Sequence, residues 1–295
     1  MDRPLASSRI TRRVAAGGLV AAAAAPAFAA APAPRRVVSL NPCLDVLVVR
    51  LADRSQIAAL SRYAHDPASS NVGPAGRDLP IIHDTAEEVV AVRPDLVLMA
   101  RYSSAATRSA LRRLGVRLEL FDLPETIEAS LAQVAQAAAA LGHPGRGERL
   151  IAEIRAAIAG SEPGPGEPRL SAVVYQSAGF ASARGTLMDE MMARAGLDNA
   201  AARYGLKQSG NIPLEALVAD PPDLILSGRP KPGAPAWADR VLSHPAFKRL
   251  SRRVHVEPFP QRLMYCGGPV LIETAAMLAT ARRAVLAAGA GRWRS

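Results

Sequence analysis

A twelve-residue segment occurs twice in this 295-residue chain, once in each half, and it constrains the fold more than any other feature. Residues 87–98 read EEVVAVRPDLVL and residues 215–226 read EALVADPPDLIL, so seven of twelve positions are identical at an offset of 128. Each copy predicts a short helix, a proline that ends it and a strand buried on both faces. The repetition therefore favours two lobes of similar α/β build.

Strands and helices are predicted to alternate around both copies. The first half predicts strands at 36–40, 56–60, 81–82 and 116–121, and helices at 44–51, 104–114, 127–141 and 148–159. A Pro/Gly-rich break at 161–168 precedes strands at 170–175 and 254–257, helices at 187–195 and near 237–242, and a last helix after Pro269 that runs to about Ala288. Such alternation predicts parallel sheets.

The N-terminus is typical of a targeting segment. Arg12 and Arg13 precede an apolar, charge-free stretch at 14–25, and Ala27 and Ala29 offer small residues for cleavage. Twelve apolar residues are too few to cross a bilayer, so we expect a signal peptide at 1–29 and a soluble product exported to an oxidising compartment. The paired arginines favour the twin-arginine route, with an ordinary Sec signal as the alternative.

Composition excludes some classes of protein. With 49% hydrophobic and 21% charged residues, the chain is too apolar for a disordered protein. Only 4% of residues are aromatic, which does not favour single-stranded nucleic acid, and we expect no nucleic-acid partner. The net charge of +10 comes from scattered residues. A solvated surface explains it, and attraction to an anionic ligand or a membrane surface stays open.

Four segments together resemble one known family. They are RVVSLNPCLDVL (36–47), EEVVAVRPDL (87–96), the alanine-rich helix pair before the break at 161–168, and GNIPLEALVADPPDL (210–224). In these segments the chain is similar to the helical-backbone class of periplasmic substrate-binding proteins, which serve ABC importers of cobalamin, ferric siderophores and haem. The resemblance covers nearly all of the chain after residue 29.

The resemblance implies a fold and a set of partners. The fold is α/β, with two Rossmann-like lobes of parallel sheet at 35–143 and 168–295, a rigid connecting helix at 144–162 and a ligand cleft between the lobes. The partners are an inner-membrane ABC permease and a small metal chelate, cobalamin or a ferric siderophore, and the protein is expected to be a monomer. Haem is less expected, because no axial ligand stands out.

The resemblance also implies that one glutamate on each lobe docks on the permease. By position in the repeat these are Glu87 and Glu215, with Glu88 as the nearest alternative to Glu87. Their position in a first helical turn is also explained by the helix dipole alone.

Ligands of α/β lobes meet the loops that follow the carboxyl ends of parallel strands. Tyrosine offers a rigid contact with a hydroxyl, and arginine offers charge for an anionic chelate, although each arginine is as compatible with a solvated surface. The candidate ligand-binding residues are Asn41, Cys43, Asp45, Tyr63, His65, Arg101, Tyr102, Tyr175, Arg184, Arg229, Arg262, Tyr265 and Cys266.

The two cysteines fall in predicted cleft loops, one on each lobe. In an oxidising compartment Cys43 and Cys266 could form a disulfide that ties the lobes together. Two separate thiols and ligation of a metal centre in the ligand are the alternatives.

No catalytic or cofactor motif is found. The chain contains no Gly-x-Ser-x-Gly elbow, phosphate-binding loop or dinucleotide fingerprint. His65-Asp66 and His83-Asp84 are adjacent pairs, whose side chains point to opposite faces of an extended chain. We therefore expect a binding protein with no catalytic residue, no metal site of its own and no cofactor. An exported two-lobed enzyme and a free transition-metal binding protein are the alternatives.

Overall fold

The computed structural model describes residues 32–228, 244–251 and 254–292. Its first sheet has five parallel strands in the order β3-β2-β1-β4-β5. They are β1 (Val37–Ser39), β2 (Ile57–Ser61), β3 (Ile81–Ile82), β4 (Leu96–Ala100) and β5 (Leu118–Phe121). All five residues of β4 are buried, as a strand covered on both faces requires.

Four helices accompany this sheet, and a polar side chain caps each of them at its start. They are α1 (Pro42–Leu51), α2 (Ala86–Ala91), α3 (Ala105–Arg113) and α4 (Ile127–Leu141). The Asn41 side chain accepts from the Cys43 amide at 2.9 Å, and Thr85, Ser104 and Thr126 cap the other three. The caps explain why each helix begins directly after its strand or loop.

The second sheet has four parallel strands in the order β11-β10-β6-β8. They are β6 (Leu170–Tyr175), β8 (Leu197–Asn199), β10 (Leu224–Ser227) and β11 (His255–Pro258). A separate antiparallel ribbon pairs β7 (Phe180–Ser182) with β9 (Ser209–Asn211). The helices of this half are α6 (Leu187–Arg194), α7 (Leu214–Ala219) and α8 (Pro245–Leu250).

Two long helices link the halves. Helix α5 (Pro144–Ala159) packs on α4 and on the last helix, α9 (Val270–Arg292). Leu150, Ile154 and Ile158 of α5 are buried in a hydrophobic cluster that contains residues of both sheets. Residues from Ala33 onward accordingly form one compact unit. A shared core of this kind resists large movements of one lobe against the other.

Both copies of the repeat fold as predicted, into α2 followed by β4 and α7 followed by β10. The repeated aspartate has the same role in each. Asp95 accepts the backbone N–H groups of Arg35 and Arg36, at 2.6 and 2.9 Å, where β1 begins. Asp223 accepts the N–H of Ser171 at 2.8 Å, where β6 begins. Each carboxylate thus fixes its strand against the first strand of its own sheet.

Several local predictions need correction. Helix α5 begins at Pro144 and not at 148, because proline is well suited to the first helical turn. Helix α9 continues to Arg292, beyond the predicted end near Ala288. Strands β7, β8 and β9 and helix α8 were not predicted, because short polar strands such as Ser209–Asn211 carry no apolar period. The helix near 237–242 lies outside the described residues.

Candidate functional site

The loops beyond the carboxyl ends of the two sheets meet. Cys43, in the first turn of the helix that follows β1, is bonded to Cys266, which follows β11. The Asn71 amide, in the loop after β2, donates to the Arg262 carbonyl at 2.9 Å. The Gly268 amide donates to the Ser130 hydroxyl at 2.6 Å. These contacts place the predicted ligand loops of both lobes on either side of one interlobe boundary.

A small niche marks this boundary. It is lined from the first lobe by Asn41, Tyr102 and Leu123, and from the second by Tyr265 and Gly267. Its cavity volume is about 20 Å³, enough for a single water molecule. The niche is therefore the floor of an open cleft and does not itself enclose a ligand.

Exposed aromatic and aliphatic side chains line the cleft above this floor. Tyr102 is 66% exposed, Leu123 59% and Tyr265 47%. The Phe180 ring lies 6.4 Å from the Tyr265 ring, and the Gln261 amide donates to the Tyr265 hydroxyl at 3.0 Å. Large apolar groups left in solvent mark a binding surface. Leu123 and Phe180 were not singled out from the sequence, although the rule of strand carboxyl ends also applies to Leu123 after β5.

Tyr63 and His65 lie in the loop after β2. The Arg62 guanidinium donates to the Tyr63 hydroxyl oxygen at 2.7 Å, and Tyr63 is 39% exposed. A ring nitrogen of His65 lies 3.2 Å from the Gly76 carbonyl, within the same loop. Tyr63 is thus presented to solvent, and His65 is exposed as well while its ring contacts its own loop.

The disulfide settles the three alternatives for the cysteines. Cys43 and Cys266 are joined with their Cα atoms 5.1 Å apart, across 223 residues of sequence. Both sulfurs are used in this bond, so neither is a thiolate that could ligate a metal. The bond ties the lobes together at the cleft floor.

Besides the disulfide-bonded Cys266, two candidate ligand residues, Asp45 and Tyr175, are buried, so the structure does not support a ligand role for their side chains. Asp45 is fully buried on α1 and accepts from the Ser61 hydroxyl at 2.6 Å and the Ser61 amide at 3.1 Å. Burial raises the pKa of Asp45 to about 6. Tyr175 is fully buried against Phe247, and burial raises its pKa to about 12. Tyr175 ends its strand as predicted, whereas Asp45 lies within α1, and both side chains face inward.

The four candidate arginines differ in their surroundings. Arg101 is exposed at the cleft and pairs with Asp122 at 2.6 Å. Arg262 pairs with Glu273 and donates to the Asn71 amide oxygen at 2.6 Å, so its charge is already used between the lobes. Arg184 is exposed after β7. Arg229 lies outside the described residues.

The two docking candidates occupy matching positions. Glu87 and Glu215 are exposed in the first turns of α2 and α7, and neither forms an ion pair with any residue that the structure describes. Glu88 differs, because its carboxylate accepts the His83 amide at 2.8 Å, which lowers its pKa. Glu87 is therefore better placed than Glu88 to meet an outside partner.

Two features are absent from the part of the chain that the structure describes. No group of three or more His, Cys, Asp or Glu side chains there is arranged to hold a metal ion. No helix in the same residues is long and apolar enough to cross a membrane.

Comparison with known proteins identifies the family. The family described as "Periplasmic binding protein" matches residues 37–251. A curated cobalamin-binding protein of Halobacterium salinarum (strain R1) is 26% identical over 200 residues, which are 66% of this chain and 54% of that protein. The chain thus spans about half the length of the curated relatives that it matches.

Solved structures share the fold. The periplasmic heme-binding protein RhuT from Roseiflexus sp. RS-1 is 23% identical with a TM-score of 0.66, over 84% of this chain and 98% of that one. The vitamin B12 binding protein BtuF of Vibrio cholerae is 14% identical with a TM-score of 0.65, over 86% of this chain and 98% of that one. The family and fold are those of substrate-binding proteins and not of enzymes, and this chain belongs to the periplasmic binding protein family.

Proposed function

We propose that this protein is the periplasmic substrate-binding component of an ABC importer. It captures a metal chelate between its lobes, and cobalamin is the first candidate for that chelate. The observation that carries the proposal is the open aromatic cleft: Tyr102 and Tyr265 come from different lobes, line one niche and remain exposed. A corrin offers a large apolar ring edged with amides, which suits tyrosine rings and hydroxyls. A curated relative is a cobalamin-binding protein, which supports placing cobalamin before other metal chelates.

Delivery to the permease is the second part of the proposal. Glu87 and Glu215 each start a repeat helix, one on each lobe, and both carboxylates are exposed. Two such carboxylates at a fixed separation can pair with two basic sites on a membrane partner. The disulfide and the shared core would keep that separation nearly constant between the free and loaded protein. Residues 1–29 would direct export as a signal peptide, by the twin-arginine or the Sec route.

Haem is a second candidate because of Tyr63. Its hydroxyl oxygen accepts from Arg62 at 2.7 Å while the side chain stays partly in solvent. Tyrosine oxygen is an axial ligand of haem iron in other proteins. Ferric siderophores remain a third candidate, supported by the exposed Arg101 and Arg184.

A thermal-shift screen of the chain from Ala33 onward tests the proposal. The panel is cyanocobalamin, haemin, ferric hydroxamates, ferric catecholates and free divalent metals. A ligand at 100 times its dissociation constant adds about 2.7 kcal/mol to the free energy of unfolding. We expect cyanocobalamin to stabilise the protein. Stabilisation by free metals alone would contradict chelate capture.

Variants localise the binding. Tyr102→Ala should weaken cyanocobalamin binding at least ~10-fold, because it removes a central aromatic contact. Leu114→Ala is the matched control, since Leu114 is 60% exposed on the opposite side of the sheet, after α3.

A shifted Soret band with haemin that is lost in Tyr63→Phe would instead assign haem. Glu87→Lys with Glu215→Lys should keep ligand binding and abolish uptake.

A further inference from the structure

Arginines without acidic partners gather at the edge of the first sheet that lies opposite the cleft. Arg93 ends α2, Arg113 ends α3, and Arg36 and Arg117 precede β1 and β5. All four are exposed, and none forms an ion pair with a carboxylate in the described parts of the chain. We call these four residues, with the neighbouring Arg112, the arginine edge.

Backbone contacts make the arginine edge one continuous surface. The Arg36 guanidinium donates to the carbonyls of Val92 at 2.6 Å and Arg93 at 3.2 Å. The Arg117 carbonyl accepts the amide of Val97, next to the start of β4. Helices α2 and α3 pack together, which brings their basic ends to the same side. The one acidic group among these strand starts, Asp95, is occupied by backbone N–H groups.

Apolar side chains are exposed within this surface. Leu114 is 60% exposed and Val90 is 37% exposed. Arg93 has a φ of 46°, in the left-handed region that is disfavoured for a residue with a Cβ. The structure thus retains an arginine at a helix end where glycine would be easier, and the repeat has proline at the matching position, Pro221.

The corresponding edge of the second sheet is different. Arg169, before β6, pairs with Asp198 at 2.7 Å. Arg194, at the end of α6, pairs with Glu162 at 2.6 Å, and Arg203 lies 3.7 Å from Asp220. These three arginines are neutralised by neighbours. Lys248 and Arg249, on α8 before β11, are exposed and form no ion pair with a described residue, so the two edges differ in degree.

We propose that the arginine edge binds the surface of a bilayer that contains anionic phospholipid. Lipid headgroups are favoured over an acidic protein because the charges are spread over strand starts and helix ends without a shaped pocket, and because Leu114 and Val90 can enter the headgroup boundary. The edge lies opposite the cleft, so a protein held in this way would leave its cleft open to the aqueous phase.

Vesicle sedimentation tests this proposal. The chain from Ala33 onward is used, since it forms a compact unit and lacks the apolar stretch at 14–25. It should bind vesicles of phosphatidylcholine with phosphatidylglycerol, release at high salt and ignore phosphatidylcholine alone. Arg113→Glu with Arg117→Glu should lower binding about 10-fold or more. Arg149→Glu with Lys207→Glu is the control, because it changes net charge equally at exposed basic residues that form no ion pair elsewhere in the described chain.

The outcomes separate the possibilities. Loss of binding in the edge variant and retention in the control, with unchanged Tm in both, supports the proposal. Leu114→Ser, which leaves the charge unchanged, should also weaken vesicle binding relative to the unmodified chain. Equal loss in both charge variants would show that net charge alone is responsible and overturn a specific edge. Absence of binding by the unmodified chain would also overturn it, and an acidic protein would then be the partner to seek. Cyanocobalamin binding is independent of all these results.

Discussion

The two lobes share a strand plan but use tyrosines at strand ends in opposite ways. Tyr102 follows β4 of the first lobe and is 66% exposed at the cleft, whereas Tyr175 ends β6 of the second lobe and is fully buried. The ribbon of β7 and β9 makes the difference, because Tyr175 donates to the Ile212 carbonyl directly after β9. The shared strand plan therefore fixes where a loop begins. An additional segment such as the β7–β9 ribbon determines whether the tyrosine at that strand end faces a ligand or the core.

The charged edges of the two lobes also differ although the repeat is shared. Both repeat aspartates fix a neighbouring strand, yet four arginines at the first edge lack acidic partners among the described residues, while Arg169, Arg194 and Arg203 at the second have them. The shared parts of the repeat thus hold the sheets together. The parts that differ give each lobe its own surface.

Replacing Tyr175 and Tyr102 in turn should give the largest difference in stability, because one ring is buried in the core and the other is exposed at the cleft. Tyr175→Ala removes a buried ring that stacks on Phe247, and we expect a loss of about 4 kcal/mol in the free energy of unfolding. Tyr102→Ala should change that free energy by less than about 0.5 kcal/mol. Urea denaturation measures both. Similar losses in the two variants would break the comparison between the lobes.

Removing the disulfide should have the next largest effect. Cys43→Ser with Cys266→Ser releases a constraint across 223 residues of sequence, and a loss of about 3 kcal/mol is expected. The cleft should also become less preorganised, so cyanocobalamin affinity should fall together with stability. Calorimetry reports both quantities. The Met264→Leu variant, near the disulfide but outside it, serves as a control that should change little.

Asp45 should make stability depend on pH in the first lobe. Burial raises the pKa of Asp45 from its ordinary value of 3.8 to about 6, so the folded state binds the proton more tightly. This contribution is fully present below about pH 4 and is lost as pH rises through 6, by up to about 3 kcal/mol. Asp45→Asn should therefore become more stable relative to the unmodified protein from pH 4.5 to pH 8. A stability difference between Asp45→Asn and the unmodified protein that stays constant with pH would contradict this prediction.

The repeat aspartates should give the smallest and most equal effects. Asp95→Ala and Asp223→Ala each remove a carboxylate that accepts two hydrogen bonds at a strand start. Because both carboxylates are exposed, a loss of about 1 kcal/mol is expected from each. Thermal unfolding of the two variants side by side measures it. Unequal losses would show that the two copies of the repeat are not equivalent in structure.

The repeat and the buried strands could be predicted from the sequence because their signals are local. The PDL segments, the helix over Ile127–Leu141 and the strand over Leu170–Tyr175 each carry their own apolar pattern or stop signal. Strands β7 and β9 depend on each other across 26 intervening residues and carry no such pattern. Tertiary pairing, and not propensity, forms them.

The candidate site was predictable only in outline. The rule for strand carboxyl ends placed Tyr102 and Tyr265 in the correct loops, but it could not distinguish them from Tyr175, since burial depends on the unforeseen ribbon. The cysteine pairing required a distance between residues 223 positions apart. Asn71, which bridges to Arg262, offered no sequence signal, because a lone amide side chain fits many environments.

Hydrogen exchange with and without cyanocobalamin tests the central claim most directly, because it reports on both lobes in one experiment. The claim is that a chelate sits between the lobes against Tyr102 and Tyr265. We predict that the ligand slows exchange in the loops at 101–103 and 261–266 together, while the edge at 112–117 is unchanged. Protection confined to one lobe, or to the edge at 112–117, would contradict the account.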